Sequence, residues 1–408
     1  MNLAHRASLI ANFYVEFEHA MPLAVWLAQA LALGPLPNDT WDSRDTKTRL
    51  VVFTHPGAHD TKIIQLVLDD LAGEGAQSRE AAVAWLDARQ RLENARHEGE
   101  SLREKLTDLD KKEMIWGYTL IYQAVLRDNN LLAEDLYPEA RQLFSSEVYH
   151  AVLADANLPG GKVWLVDLPL PSQEELGGSI YLALANVDGN DALMKGLVGK
   201  GAALLLPDLI AHKGYSRKRQ YAAGDLRKQY KEFVNKLNAT AEQTLNSKDS
   251  TPTEADLENL STKTGNLLGM LSFFNGIKVE LGQQITNYEQ WKGGISEGTL
   301  ADFQQAYLAT SSREVELLIE LGRGAFEMTR ITVEVIRARL AHVAEEREKR
   351  VENFIGCAGL LAGLFQVALA FSDADSLEKV FRKSVAVCLT LLIFFLILFA
   401  WRKMQRQK

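Results

Sequence analysis

Cysteine is almost missing from this sequence. Only Cys357 and Cys388 occur, both inside apolar C-terminal segments. That excludes a disulfide framework and any cysteine-based metal centre. No proline follows Pro252, so no proline interrupts a helix beyond that point. The chain has neither a G-x-x-x-x-G-K-[ST] loop nor a G-x-G-x-x-G turn, which removes the common phosphate-cradle and dinucleotide signatures. A positive net charge is missing too. At −8 the chain is unsuited to wholesale nucleic-acid binding, although a local basic site remains open. The N-terminal MNLAHRASLIANFYVEFEH carries early acids and does not read as a secretory signal. No cofactor is expected.

What is present is the composition of a globular protein, 47% hydrophobic and 24% charged over 408 residues. The expected fold is mostly α: an α+β cytosolic head with helical insertions, a long antiparallel helical stalk and a C-terminal two-helix transmembrane hairpin. The head is placed at 1–245, with a helix-rich part at 1–160. Its strand candidates are Leu50–Thr54, Val163–Leu168, Ile180–Ala185 and Ala202–Leu206. Met21–Leu33 is too short to cross a bilayer and reads as a core helix. Residues 78–147 read mostly as helices, as does the IIQLVLDDLAG run after Thr61. A polar linker, 246–253, precedes the stalk at 254–353.

The stalk is read from its periodicity. Positions 257, 260, 264, 267, 271, 274, 278, 281, 285 and 288 step by three and four, and all but Thr264 and Lys278 are apolar, a coiled-coil-like seam. Gly293-Gly294 ends this helix, and Thr299 with Asp302 starts another. The second helix is apolar on two sides, with Ile319, Phe326, Val333 and Leu340 on one and Met328, Ile331 and Val335 nearly opposite. It needs partners on both. An intramolecular bundle and a neighbouring subunit are both open.

Two charge-free runs, Phe354–Phe371 and Val385–Trp401, have the length of membrane spans and delimit a hairpin at 354–401. The basic tail 402–408 and the cationic stretch before residue 354 place both termini in the cytoplasm, in a membrane expected to be the bacterial inner membrane. Glu352, Gly356, Gly359, Gly363, Gln366, Ala370 and Asp373 step by four and three along one helix face. That stripe is either a close helix contact or a pore lining. The partners expected at this end are the lipid bilayer, further copies of the chain and cations.

Two features of the head could carry chemistry. THPGAHD presents His55, His59 and Asp60 as weak metal-ligand candidates, although Asp60 could simply cap the helix expected after it. The second is HKGYSRKRQYAAGDLRKQYK. Its Lys213, Tyr215, Arg217, Lys218, Arg219, Tyr221, Arg227 and Lys228 interleave cations with rings that can stack on bases. The expected ligand is a nucleotide or oligonucleotide. Anionic lipid is another expected partner, and the remaining readings are a solvated helix face or pairing of these cations with acidic neighbours.

An α/β head, a long helix pair running into the first of two C-terminal apolar runs, and a basic tail together resemble the CorA-type divalent-cation channel family. VWLVDLPLPSQEEL at 163–176 resembles a pattern near that family's head sheet. The family's Gly-Met-Asn motif is absent; Phe371-Ser372-Asp373 stands there instead. The resemblance implies a homo-oligomeric channel gated by its head, of the kind found among membrane effectors of bacterial antiviral defence. A CorA-like magnesium transporter and a membrane-anchored scaffold or enzyme are the alternatives.

Overall fold

The computed structural model describes residues 3–33, 40–43, 47–55, 57–73, 75–127, 152–168, 178–222, 226–246 and 253–370, with isolated positions between 385 and 394. Contacts divide the chain into two compact units. One comprises Met1–Glu242 with Leu260–Arg330, the other Gln243–Asn259 with Ile331–Lys408.

The first unit is built on one eight-stranded sheet. Its strands are β1 (Leu3–Glu16), β2 (Thr40–Ser43), β3 (Thr48–Thr54), β4 (Thr61–Leu68), β7 (Ile115–Leu126), β8 (Ala154–Leu158), β9 (Gly161–Asp167) and β10 (Ser179–Asn186). The order is β2-β3-β4-β1-β7-β10-β9-β8. All pairings are antiparallel except β7 with β10. A small hairpin, β5 (Arg96–His97) and β6 (Glu100–Ser101), stands apart.

Both faces of the sheet are covered, so its central strands are buried on both sides instead of alternating between core and solvent. On β1, Leu9, Ala11, Phe13 and Val15 pack with α1 (Ala20–Ala30), α2 (Ser78–Glu93) and α3 (Leu102–Lys111). Ile10 and Tyr14 point the other way. They meet α4 (Asn190–Leu197), α5 (Leu205–Ala222) and parts of α7 (Glu254–Trp291) and α8 (Leu300–Ala370). Between them on the chain runs α6 (Leu226–Asn246), held to α8 where Tyr230 donates to the Leu318 carbonyl at 3.0 Å.

Several expectations are corrected. The N-terminal segment and the IIQLVL run are strands β1 and β4, not helices. Residues 115–126 form β7. Residues 205 and 206, expected in a strand, open α5, whose first turn tolerates Pro207 because the missing N–H has no partner there anyway. A G-x-S-x-G match at 294–298 lies in the turn between α7 and α8, where Ser296 Oγ donates to the Gly293 carbonyl at 3.1 Å. It is no strand-to-helix elbow.

The largest correction concerns the C-terminus. Among the described residues no helix is long and apolar enough to cross a membrane. This overturns the transmembrane hairpin in the expected fold, and with it the membrane location with both termini cytoplasmic and the bilayer as partner. The stripe does lie on a helix: Glu352, Gly356, Gly359 and Gly363 are exposed on α8, after the charged run 345–350. The side chains of Gln366 and Ala370, all of Asp373, and most of Val385–Trp401 lie outside the described residues.

Close packing of α5 against α8 depends on Gly214. A Cβ there would stand 2.0 Å from Leu308 Cδ2, and Leu308 is itself fully buried. On an exposed helix Gly→Ala gains about 1 kcal/mol. Here overpacking costs about 1–3 kcal/mol, so Gly214→Ala lowers the urea midpoint despite its better helix propensity.

Candidate cleft and the buried carboxylate behind it

The local backbone of β7 creates the site. Tyr14 pairs with Gly117 and Val15 with Ile115, so Trp116 is an extra residue in the ladder. Such a bulge re-aims the side chain it carries. Ile115 packs into the α1–α3 core, while Trp116 packs against the opposite one. Gly117 is required beside it, because a Cβ would lie 2.3 Å from Nδ1 of the buried His212.

Trp116 forms one wall of a cleft of about 500 Å³. The loop 57–60 supplies His59 and Asp60, α5 supplies Lys213 and Arg217, and α7 supplies Glu280, Gln283, Gln284 and Asn287. Lys213 and Arg217 are one helical turn apart, so both reach the Trp116 ring, at 5.5 and 5.1 Å from its centroid. Each also has acids. Lys213 Nζ donates to Asp60 Oδ1 and Oδ2 at 2.8 and 2.7 Å. Arg217 pairs with Glu280 and stands 3.7 Å from Glu113. Burial raises the Asp60 pKa, but the hydrogen bonds and charge of Lys213 outweigh it and leave the carboxyl below its ordinary value. Gln284 Oε1 is buried with no hydrogen-bond partner among the described residues.

Beneath the cleft, the same helix carries a buried polar cluster. Asp208 is fully buried and accepts from four neutral donors. Tyr14 and Tyr181 donate from 2.6 Å each, Thr119 at short range and Gln304 Nε2 from 3.4 Å. Tyr288 donates in turn to Gln304 Oε1 at 2.6 Å. Strands β1, β7 and β10 and helices α5, α7 and α8 are thus joined through one carboxyl group. Burial, and then the Asp208 charge, push Tyr14 and Tyr181 well above the ordinary phenol range. One turn on, His212 Nε2 lies 3.1 Å from Thr119 Oγ1 and 2.9 Å from Ser179 Oγ. Burial, helped by Arg219 and opposed by Asp208, lowers the His212 pKa to about 4.

The two sequence motifs therefore meet, at Asp60 and Lys213. The remaining basic residues are spread over other partners. Arg219 bonds Asp110 at 2.9 Å, and Lys218 and Arg227 each stand 3.9 Å from Glu314. Tyr215 and Tyr221 are core residues, and Tyr221 donates to the Ser311 carbonyl. Lys228 is exposed. His55 packs edge-on against Trp291, 6.2 Å between centroids, with its pKa lowered by burial. Among the described residues no His/Cys/Asp/Glu group could hold a metal ion. Sequence reading missed Trp116 and Asp208; the only signals were a charged residue in the apolar run 202–211 and a glycine inside an apolar strand.

The network sets two measurable outcomes. Asp208→Ala orphans several buried hydroxyls and lowers unfolding free energy by about 3 kcal/mol or more, measured by denaturant titration. For His212, the unfolded ring takes a proton near its ordinary 6.5 and the folded ring only near about 4. The unfolded state binds more protons in between, so stability falls as pH drops through that window and levels below it. His212→Asn flattens that slope in thermal melts from pH 7 to pH 4.

No family model matches this chain, and no curated protein does. Two solved structures show a distant CorA-like likeness. The CorA magnesium transporter from Methanocaldococcus jannaschii is 12% identical, with 68% of this chain and 89% of that one covered, at a TM-score of 0.25. The full-length CmaX protein is 16% identical, with 68% and 88% covered, also at 0.25. At that score neither carries an argument about what this chain does.

Proposed function

We propose that the chain is a small-molecule-responsive regulatory protein whose head senses a ligand in the Trp116 cleft. The observation that carries this reading is the charge pattern of the cleft. Its lining pairs the cations Lys213 and Arg217 with the acids Asp60 and Glu280, and both ion pairs bridge separate elements. A ligand with charges of both signs can exchange for these pairs without leaving a buried charge unmatched. The amides of Gln283, Gln284 and Asn287 offer the neutral hydrogen bonds that fix its orientation. Exchange at Arg217–Glu280 acts directly on the contact between α5 and α7, which is how occupancy reaches the helices.

The preferred ligand is therefore a small zwitterion. A phosphate-bearing ligand on Lys213 and Arg217 is the other arm of the same test. Calorimetric titration of the full chain with a panel of free amino acids, and separately with ADP, decides between them. Binding lost in Asp60→Ala and Arg217→Ala alike supports the zwitterion. Binding of ADP alone, lost in Arg217→Ala and strengthened in Asp60→Ala, selects the phosphate. Silence from both at millimolar concentration removes the reading.

The CorA-like resemblance implies a fuller reading, a homo-oligomer gated by its head and conducting cations. Of its parts, self-association has support of its own. On α8, Val351, Ile355 and Leu360 are 44%, 63% and 70% exposed, and a Cβ added at Gly356 or Gly359 meets nothing within 4 Å. Exposed apolar residues beside an open small-residue face are what a second copy covers. Light scattering on the eluted protein should give a mass above one chain, falling to one chain in Ile355→Glu/Leu360→Glu. A monomer before mutation sinks this part.

A further inference from the structure

Two polar atoms in the wall of the Trp116 cleft are left over once every pairing above is made. Trp116 Nε1, an N–H donor, and Gln284 Oε1, a carbonyl acceptor, are both buried, and neither has a hydrogen-bond partner among the described residues. A buried polar atom without a partner is uncommon and needs a reason, because it loses its bond to water and gains none in return. The two stand around one ion pair. Arg217 lies over the Trp116 ring, 5.1 Å from its centroid, and pairs with Glu280. Glu280 and Gln284 are one turn apart on α7 and share a helix face. The donor of β7 and the acceptor of α7 therefore border the same space, which the Arg217–Glu280 pair spans. Trp26 and Trp85 also leave an indole N–H unpaired, but inside the closed α1–α3 core. A second cleft, of about 450 Å³, lies on the opposite face of the sheet between α2, the β5–β6 hairpin and α3. Among the described residues its lining holds no such orphan.

We propose that the Trp116 cleft selects an amino acid whose side chain ends in a primary carboxamide, glutamine or asparagine. This rests on the zwitterion reading above and adds what the side chain must be. The α-ammonium and α-carboxylate exchange into the ion pairs of Lys213 and Arg217. That exchange draws the cations off the Trp116 ring and opens the wall behind them. The carboxamide then meets both orphans: its carbonyl accepts from Trp116 Nε1, and its NH2 donates to Gln284 Oε1. Two primary amides pair reciprocally, so the match survives a turn of the Gln284 amide about its last bond. A carboxylate side chain offers acceptors only and leaves Gln284 Oε1 without a donor. An apolar side chain leaves both orphans as they are. A site built to bond a polar group rejects the analogue lacking it far more strongly than an apolar pocket sorts by size.

Calorimetric titration of the full chain with glutamine, glutamate, methionine and serine reads the selectivity. Glutamine should bind about tenfold tighter than the other three, or better. Trp116→Phe keeps a ring under the cations and removes the N–H, whereas Gln284→Leu removes the amide. Each should bring glutamine to within about threefold of methionine and leave methionine's own affinity unchanged. Equal binding of all four would overturn the proposal and leave the zwitterion reading standing, as would a glutamine preference that both variants keep. Propionamide carries no charge and probes the carboxamide contact by itself. It should shift the indole N–H nuclear magnetic resonance of Trp116, assigned by its loss in Trp116→Phe, and should not do so in Gln284→Leu. Where no amino acid binds, the zwitterion reading falls and propionamide decides: the shift sustains carboxamide recognition at this cleft, and its absence ends it.

Discussion

One buried carboxyl group organises the first unit. Asp208 is fully buried, and an unsatisfied carboxylate in that position costs far more than any single apolar contact returns. The hydroxyls of Tyr14, Thr119 and Tyr181 must therefore converge on it, and each is fixed to a different strand. The consequence is registry. Helix α5 cannot slide along the sheet without stripping donors from Asp208, and α8 is held by Gln304 in the same network. An apolar interface alone tolerates such slips far better, because one leucine contact resembles another.

With α5 held in place, the position of the cleft over it is a matter of geometry. Lys213 lies five residues after Asp208, and Arg217 one turn beyond that. Both therefore emerge where the bulge at Trp116 turns its ring across the sheet. The bulge in turn needs the glycine that makes room for His212, and His212 is seated by Thr119, itself a donor to Asp208. The buried cluster and the accessible cleft are two ends of one constrained segment. A change that rotates α5 disturbs both.

How much of this was legible in the sequence differs by element. The seam of α7 was readable from its steps of three and four, and Leu260, Leu267, Leu271, Phe274, Leu281 and Tyr288 are buried. Strands β3, β9 and β10 were readable from short apolar runs between polar punctuation. Strands β1 and β4 were not, because a strand buried on both faces loses its alternation and then resembles a core helix. The bulge was invisible for a different reason: it is defined by a partner strand about a hundred residues away. The sequence left open whether the cations of 212–231 are paired, since their partners Asp60, Asp110, Glu113, Glu280 and Glu314 are scattered along the chain. Local charge density says nothing about neutralisation across the fold. The membrane hairpin was argued from apolar run length and basic flanks, and among the described residues no helix is long and apolar enough to cross a membrane.

The two clefts differ in the same way. The sequence segment densest in cations lines a cleft that holds Asp60 and Glu280 opposite Lys213 and Arg217, whereas Arg89, Arg96 and Arg103 line one that holds Glu93 and an apolar floor. The difference lies in what faces each group. Lys213 and Arg217 look across to α7 and to the 57–60 loop, both of which present acids. Arg89 meets its acid on its own helix, at Glu93, above a floor of Phe13, Tyr118 and leucines. For ligand choice in this fold, the partner surface opposite a basic residue matters more than the number of basic residues beside it.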